Sequence, residues 1–320
     1  MYTLLSLENP LPEQFPSFYR DGFLFLQARH LLHQPCRPLH YLALINTETG
    51  LADARCAVYI RDGWVVSPCT ASFGSVEFSE NVPDAAVGQL LEAVVMSSKK
   101  LLYADNKLPD SGIRLVNYPD FYSPNQAQRL RRLLLKAGFT VCYEELNQHV
   151  LVDSRPFAEQ IQPAQRRRLR KCQQAGFTTQ IWDKPDVDKL FTLIQKARHR
   201  KGLPVTIQSK DLASLLSNFR DVCPVFTVQN GEELVAACIG IRVTPDILYY
   251  FLPADHEDYQ QFSPSVLLIE SLYAYCQQHG MPWLDLGIST SRGVRNEGLI
   301  RFKRQLGAIE TSKFIYEMRF

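Results

Sequence analysis

The chain has 320 residues, a length that exceeds one ordinary hydrophobic core and suits two domains of typical size. Apolar residues make up 46% and charged residues 21%, so the cores of a globular protein can form without disulfides or a structural metal. A net charge of +2 excludes a protein-wide field that attracts DNA, and no apolar run reaches the length of a membrane span.

The first residues and the cysteines predict a compartment. Met1–Leu7 lacks the basic start and apolar core of a signal peptide, which favours a soluble, cytoplasmic protein. The eight cysteines occur singly, without the paired spacing of a metal site, so no metal is predicted. We expect all eight to be buried free thiols in a reducing compartment. A catalytic cysteine is the alternative, and it would need a histidine nearby in space.

The first 35 residues begin with several prolines and show no clear hydrophobic periodicity, and Phe23–Leu32 within them is either a strand or a helix. From Tyr41 onwards the alternation of apolar and polar residues predicts regular elements. A hairpin of two strands comes first, and the remaining elements follow in chain order. The predicted order is strands 41–46 and 54–61, a strand or irregular segment at 64–66, a loop of small residues at 67–75, a helix from Asp84 as N-cap to Lys100, a strand at 112–116, a helix from Ser123 or Asn125 to Gly138, and strands 139–143 and 148–152.

The middle of the chain is predicted to be helical, and the last hundred residues return to strands. Asn230-Gly231-Glu232 is a strong hairpin signal between two β-rich runs. The predicted order is helices 163–175, 185–200 and 211–219, strands 225–228, 234–243 and 247–252, a polar loop at 254–262, a helix from Ser263 to Gln278, a strand at 283–287, a helix at 297–306 and a strand at 314–320.

The two halves repeat one order of elements. Each has a hairpin, a strand, a loop, a long helix, a short strand, a helix ending at glycine, and a final strand. The helix ends at 133–139 and 302–308 are also alike in sequence. This pattern favours a remote internal duplication, although any two mixed α/β units could share the order. We therefore expect two domains, 1–153 and 154–320, each a mixed sheet flanked by helices.

The second half resembles a known family. Ser263-Pro264 opens a helix, Asp285-Leu286-Gly287 ends a strand, and Arg301-Phe302-Lys303 lies in the last helix. Together with the basic segment 166–171, these residues resemble the Fem-type and related GNAT-fold acyltransferases over about residues 154–320. Over 1–153 the resemblance lies in the order of the elements.

This resemblance implies a fold and a reaction. Family members carry two tandem GNAT-like domains, each a mixed α/β sheet with helices on both faces. The donor is acyl-CoA in GNAT relatives and aminoacyl-tRNA in Fem-type enzymes, and the acceptor is an amine, often on a sugar or a cell-wall precursor. The second domain would bind the donor, the first would be a degenerate copy, and the acceptor would enter between them.

The resemblance also nominates catalytic residues. Lys303 would stabilise an oxyanion or a phosphate, and the alternative is a solvated basic helix face. Asp285 would orient the acceptor amine or accept its proton, and the alternative is a cap for the loop that follows. His256, in the loop before the donor-side helix, is a candidate base because the pKa of histidine suits neutral pH.

Binding residues follow from the same comparison. The family's donor loop, Q/R-x-x-G-x-G/A, holds a pyrophosphate on backbone N–H groups, and here the corresponding segment lacks both glycines. Gln261, Ser263 and Ser265 are the coenzyme A candidates in it. On the basic helix, Arg167, Arg170 and Lys171 share one face, and with Arg301 they are the candidates for binding a phosphorylated substrate. The cations at 198–201 suit a helix C-terminus and are read as structural.

These observations predict an N-acyltransferase that moves an acyl group from acyl-CoA to an amine on a small molecule or a peptide. A Fem-type, aminoacyl-tRNA-dependent enzyme is the alternative. It is not favoured, because no long helical arm for tRNA is evident. A non-catalytic GNAT-like binding protein is the third reading, which the missing glycines support. No DNA partner is expected.

Overall fold

A computed structural model describes residues 1–104 and 111–320, which form two compact α/β units. The first unit is Met1–Leu146 with the short segments Thr290–Val294 and Thr311–Phe320. The second is Asn147–Ser289 with Arg295–Glu310. Each unit has a hydrophobic core of its own, formed by apolar side chains of its strands and helices.

The N-terminal half of the chain supplies seven strands and three α-helices among its described residues. In chain order these are β1 Tyr2–Glu8, α1 Ala28–His33, β2 Leu39–Asn46, β3 Ala52–Arg61, β4 Trp64–Ser67, β5 Val76–Phe78, α2 Asp84–Ala104, β6 Gly112–Val116, α3 Pro124–Lys136 and β7 Thr140–Leu151. Short 3-10 helices lie at Pro12–Gln14, Leu24–Leu26 and Asp120–Tyr122.

The C-terminal half supplies the remaining elements. They are α4 Phe157–Gln160, α5 Pro163–Gln174, β8 Thr178–Ile181, α6 Val187–Arg200, α7 Ser209–Asn218, β9 Val225–Asn230, β10 Glu233–Thr244, β11 Ile247–Asp255, α8 Pro264–Gln278, β12 Trp283–Ile288, β13 Thr290–Ser291, β14 Val294–Arg295, α9 Glu297–Gln305 and β15 Ile309–Arg319. A 3-10 helix, Glu257–Phe262, precedes α8.

Six strands follow the same order in both units, and the first unit has part of β7 as one more strand at its end. In the first unit the order is β1-β2-β3-β4-β6-β15-β7, and in the second it is β8-β9-β10-β11-β12-β7, with β7 divided between the two. Each unit has one parallel pair at the same place, β4 with β6 and β11 with β12, and its other registered pairs are antiparallel. The prediction of a tandem mixed α/β architecture is confirmed.

The final strands are exchanged along the chain. β7 follows the helix of the first half, yet its second part pairs with β12 in the second unit. β15 follows the helix of the second half and pairs with β6 in the first unit. The prediction of two strands at 139–143 and 148–152 was wrong because β7 is one continuous strand of 12 residues. Two edge strands were not predicted: β1, which pairs with β2, and β8, which pairs with β9.

The expectation of buried free thiols holds for five of the eight cysteines and was wrong for three. Cys56, Cys172, Cys223, Cys238 and Cys276 are buried and free, whereas Cys142 is exposed. Cys36 and Cys69 form a disulfide with a Cα–Cα distance of 6.0 Å. Gln34 brings their segments together, because its side-chain oxygen accepts from the Cys69 and Thr70 N–H groups. Their separation of 33 residues gave no sequence signal.

A buried ion pair lies inside the first unit. The guanidinium of Arg55 donates to one oxygen of Glu77 at 3.0 and 2.6 Å, and both side chains are almost fully buried. The other oxygen of Glu77 accepts from the N–H of Phe23 at 3.0 Å. The ring of Phe18 stacks on the guanidinium, 3.9 Å from centroid to Cζ. This pair therefore ties the N-terminal segment to strands β3 and β5.

Within residues 1–104 and 111–320, no helix combines the length and the apolar character needed to cross a bilayer. The same described residues contain no group of three or more His, Cys, Asp or Glu side chains placed to hold a metal ion.

Candidate functional site

The parallel strands β11 and β12 of the second unit pair over only three residues. Ile247, Leu248 and Tyr249 face Trp283, Leu284 and Asp285, and the register ends there. β11 continues to Asp255 along β10, with an extra residue near Leu252, which has a φ of 49°. The two strands therefore separate after Tyr249 and Asp285. A gap of this kind at the carboxyl end of parallel strands is where open α/β sheets bind ligands.

Asp285 is fixed by two hydrogen bonds at the end of β12. Its Oδ1 accepts from the side-chain amide of Asn147 at 2.7 Å and from the N–H of Gly287 at 2.8 Å. The second bond closes an Asx-type turn, which holds Gly287 at a φ of +75°. The side chain is 1% exposed. Asp285 therefore sets the path of the backbone where β12 ends, a cap-like role that the sequence reading weighed against a catalytic one.

Lys303 lies on α9 and points at the end of β12. The helix buries Ile300 and Lys303, and Asn296 caps its N-terminus by accepting from the Leu299 N–H at 3.0 Å. The Lys303 amine donates to the carbonyl of Gly287 at 2.8 Å and to that of Ile288 at 2.9 Å. With 4% of the residue exposed, the reading of a solvated helix face was wrong. Two hydrogens of the amine are used in these bonds. The third position, a hydrogen in the ammonium form and a lone pair in the neutral amine, can bind another partner.

Burial changes the acidity of this amine. Loss of solvation lowers the pKa of Lys303 from 10.5 to about 7, while the nearby Asp285 carboxylate acts in the opposite direction. A group with a pKa near neutrality can exchange a proton at physiological pH. The site thus combines a titratable amine with carbonyl groups that hold it in one position.

A second polar network connects β7, β12 and α9. The Ser289 hydroxyl donates to Gln148 Oε1 at 2.7 Å, and Gln148 Nε2 donates to the Ile300 carbonyl at 3.3 Å. Both side chains are at most 1% exposed. Because Ile300 lies one helical turn before Lys303, these bonds set the distance of α9 from the strand end.

The ring of Tyr249 packs directly on Gly287. A Cβ at Gly287 would lie 3.1 Å from Tyr249 Cε2, closer than ordinary van der Waals contact. Tyr249 occupies the last paired position of β11 and is half-buried. The aromatic ring, the glycine and the Lys303 amine therefore meet at the gap between the strands.

We expect Gly287→Ala to destabilise the second unit by about 1–3 kcal/mol, because its φ is unfavourable for a Cβ and the Tyr249 ring must move. Gly231→Ala is the matched control, with a φ of +60° and nothing within 4 Å of the added Cβ. Urea unfolding of both variants separates backbone strain from the contact. Equal losses in the two variants would contradict a packing role for Gly287.

The candidate donor loop has an unexpected geometry. Residues Glu257–Phe262 form a 3-10 helix, and Ser263 has a φ of 57° without a side-chain cap. Pro264 removes one N–H from the first turn of α8, and the N–H of Val266 bonds to the Ser263 carbonyl. Gln261 and Ser265 lie on either side of this turn, exposed and half-exposed respectively. Few backbone donors are left here to bind a pyrophosphate.

The basic helix α5 contacts both this loop and α9. Lys171 Nζ donates to the Gln261 carbonyl at 2.8 Å, and the Cys172 thiol donates to the Phe262 carbonyl at 2.9 Å. At the other end, Gln165 Nε2 donates to Gln305 Oε1 at 2.6 Å. The structure thus brings the predicted basic helix between the loop and the helix that carries Lys303.

Three of the predicted substrate-binding cations have free exposed ends. Arg167, Arg170 and Arg301 are exposed, and no ion pair involves them within the described part of the chain. Arg167 and Arg170 are three residues apart on α5, which places them on neighbouring turns. Unpaired exposed arginines of this kind can bind an anion or remain solvated.

His256 interacts with its own turn. Its Nδ1 accepts from the Asp258 N–H at 3.4 Å, and its ring lies 5.8 Å from that of Tyr259. Its side chain contacts Asp258 and Tyr259 of this turn, whereas Lys303 and Asp285 meet at the end of β12. The structure therefore joins two of the three predicted catalytic residues and gives His256 the role of an N-cap.

Among its described residues, the first unit has no counterpart of this site. The gap after β4 and β6 is crossed by the chain itself, since the Gly74 N–H donates to the Val116 carbonyl at 2.9 Å. The alignment of the two helix ends places Leu134 at the position of Lys303, and Leu134 is fully buried. An amine and an open strand end thus occur together in the second unit.

The sequence did not single out Tyr249, Gln148 and Ser289 as site residues. Tyr249 lies in a β-rich run that is typical of a sheet core, and Gln148 belongs to a strand from the other half of the chain. Gly287 was named in the Asp285-Leu286-Gly287 motif, but its contact with the Tyr249 ring could not be predicted.

Comparison with known proteins identifies the fold. FemX matches with a TM-score of 0.67 and 12% identity, over 94% of this chain and 93% of that chain. The C-terminal domain of a putative lysylphosphatidylglycerol synthetase from Agrobacterium fabrum matches with a TM-score of 0.57 and 14% identity, over 92% and 87%. A tandem GNAT protein from the clavulanic acid biosynthesis pathway matches with 0.55 and 10%, over 99% and 98%.

The chain therefore has the fold of the GNAT acyltransferase superfamily, as the sequence resemblance implied. Residues 164–304 match the family model of an acetyltransferase (GNAT) domain. Every candidate site residue named above from the basic helix to Lys303 falls inside that segment. No curated protein matches the sequence significantly.

Proposed function

We propose that the protein transfers an acyl group to an amine, and that the reaction centre is the end of β12 in the second unit. The observation that supports this most is the buried amine of Lys303, held on the Gly287 and Ile288 carbonyls where β11 and β12 separate. It is the kind of fixed donor that stabilises charge as it develops in acyl transfer.

The proposed reaction is nucleophilic attack on an activated carbonyl. The lone pair of the acceptor amine forms a C–N bond, and the carbonyl oxygen becomes an oxyanion. The oxyanion then re-forms the carbonyl as the bond to the leaving group breaks, and the proton of the amine passes to the leaving group, directly or through solvent. In its ammonium form Lys303 donates its remaining hydrogen to the oxyanion. Asp285 holds the Gly287 turn that positions Lys303 and is a positioning residue. We assign no base, because orientation of the reactants can supply much of the acceleration.

The donor we propose first is an acyl-CoA thioester, which is the general donor of GNAT domains and fits the family match over residues 164–304. Gln261, Ser263 and Ser265 at the start of α8 are the residues proposed to contact it. The acceptor would be an amine on a small molecule or a peptide. Arg167, Arg170, Lys171 and Arg301 would hold its anionic groups.

A second candidate is transfer from an aminoacyl-tRNA. One specific observation favours it: the turn before α8 has few free backbone donors, and two of its carbonyls are bound by the side chains of Lys171 and Cys172. A coenzyme A pyrophosphate needs N–H groups there, whereas a donor bound through RNA phosphates would instead use the exposed arginines of α5.

The experiment that tests the donor is calorimetric titration with acetyl-CoA, followed by transfer of a labelled acetyl group to a panel of amines. We expect saturable binding, weakened at least tenfold by Ser265→Glu, because a carboxylate at the start of α8 repels phosphates. Gln278→Glu, at the exposed far end of the same helix, is the matched control. No acetyl-CoA binding, together with transfer from charged tRNA, would select the second candidate. Failure of both donors would favour a binding protein without catalytic activity.

A further inference from the structure

Three cationic side chains lie at the C-terminal end of α6, Arg198, Arg200 and Lys201, and they differ in their hydrogen-bond and ion-pair partners. Arg200 and Lys201 share the carboxylate of Asp255, at 2.9 and 3.0 Å. Arg198 forms no ion pair with any described residue and donates its Nε to the Pro204 carbonyl at 2.6 Å. The helix dipole favours cations at a helix C-terminus, which explains the positive charge of this segment. It does not explain why Arg198, unlike Arg200 and Lys201, has no carboxylate partner among the residues that the structure describes.

Arg198 is partly withdrawn from water. Burial lowers the pKa of its guanidinium below the usual value, and the electrostatic partner it has there is the Tyr249 phenol. A partly desolvated guanidinium without an anion is unfavourable, and a carboxylate with its two oxygens compensates it best. Because Nε is already bonded, the two terminal nitrogens form the free end of the fork.

The position of Arg198 connects it with the candidate reaction centre. α6 packs on β11, and Arg198 directly follows Ala197, the last buried residue of this helix. Tyr249, its electrostatic partner, is the last residue of β11 paired with β12, and its ring packs on Gly287. Gly287 in turn accepts from Lys303. Arg198 is therefore connected with Lys303 through Tyr249 and Gly287.

We propose that Arg198 binds a carboxylate of the substrate, and that this determines which molecules react at the end of β12. Asp255 cannot serve as this carboxylate, because its single negative charge is already shared by Arg200 and Lys201. The carboxylate belongs either to the acceptor, as in an amino acid, or to the acyl group, as in a dicarboxylic acyl donor. Its role in selecting substrates rests on the proposed function, whereas the binding of a carboxylate by Arg198 does not.

The test is the thermal midpoint of the protein with two matched pairs of amide ligands. N-acetylglycine carries a carboxylate on the amine side, and N-acetylglycinamide lacks it. N-methylsuccinamate carries it on the acyl side, and N-methylsuccinamide lacks it. We expect one of the carboxylates to raise the midpoint in a saturable manner and its amide partner to have no effect. Which carboxylate acts identifies its source.

We expect Arg198→Met to weaken this carboxylate at least tenfold. Lys196→Met, which removes an exposed cation of the same helix, should leave its affinity unchanged. Arg198→Lys keeps the positive charge but lacks the two terminal nitrogens of the guanidinium, so it should bind the carboxylate with intermediate affinity. It replaces the methionine variant in this test if that variant does not fold. The ligands need no donor, so the outcome is separate from that of the transfer assay. No effect of either carboxylate, equal affinity in Arg198→Met, or stronger stabilisation by pyrophosphate would overturn the proposal.

Discussion

Lys303→Met is expected to lower kcat for acyl transfer by about two to three orders of magnitude, the range measured for loss of one oxyanion donor. Methionine fills the volume of the lysine stem but cannot donate to an oxyanion or to the Gly287 and Ile288 carbonyls. Rates with saturating donor and acceptor measure the effect. Lys136→Met, on the exposed end of α3, is the control for loss of a lysine charge.

The pH dependence distinguishes the ammonium form from the neutral amine. The pKa of Lys303 is about 7, so the fraction of ammonium falls as pH rises through neutrality. If the ammonium stabilises the oxyanion, the rate of the wild type decreases above this pH, and Lys303→Met loses that decrease. A rate that instead rises with pH through 7, and no longer does so in the variant, would assign Lys303 as a base.

The same group makes stability depend on pH. Between the folded pKa of about 7 and the unfolded value of 10.5, the unfolded chain holds a proton that the folded chain has released. The free energy of unfolding therefore rises with pH across this window, by an amount on the order of a few kcal/mol. Lys303→Met should lack the rise. Urea titrations at pH 7 and pH 9 measure it, and an equal rise in both proteins would contradict a buried, depressed Lys303.

The sequence predicted the elements of the second half well because each begins or ends at a residue with a physical preference. Pro264 begins α8, Gly307 follows α9, and Asn230-Gly231 turns between β9 and β10. The continuous β7 was divided because its first half is exposed and its second half is buried, which interrupts the alternation. The exchange of β7 and β15 could not be predicted, since no local pattern states which sheet a strand joins.

The candidate site was partly predictable for the same reason. Lys303 and Asp285 came from a local motif, and the structure brings them together at the end of β12. Gln148 acts through an element that is more than 130 residues away in the chain, where one-dimensional patterns carry no information. Arg198 was read as a helix-end cation, because its difference from Arg200 and Lys201 lies in the position of Asp255, which only folding reveals.

The second large effect is expected in the first unit, where Glu77→Gln should lower the free energy of unfolding by about 3–5 kcal/mol. The glutamine keeps the shape of the side chain but leaves the Arg55 guanidinium buried without its charge partner. Trp64 is the tryptophan of the first unit, so its fluorescence in a Trp182→Phe, Trp283→Phe background reports the unfolding of that unit.

Two further variants decide whether burial is the cause. Arg132→Met breaks an exposed pair with Asp84 in the same unit and should leave the free energy of unfolding nearly unchanged. Combining Glu77→Gln with Arg55→Met removes both charges and should recover part of the loss, because the penalty comes mainly from the uncompensated charge that one partner leaves behind. If the double variant is no more stable than Glu77→Gln alone, the uncompensated charge of Arg55 is not the cause of the loss.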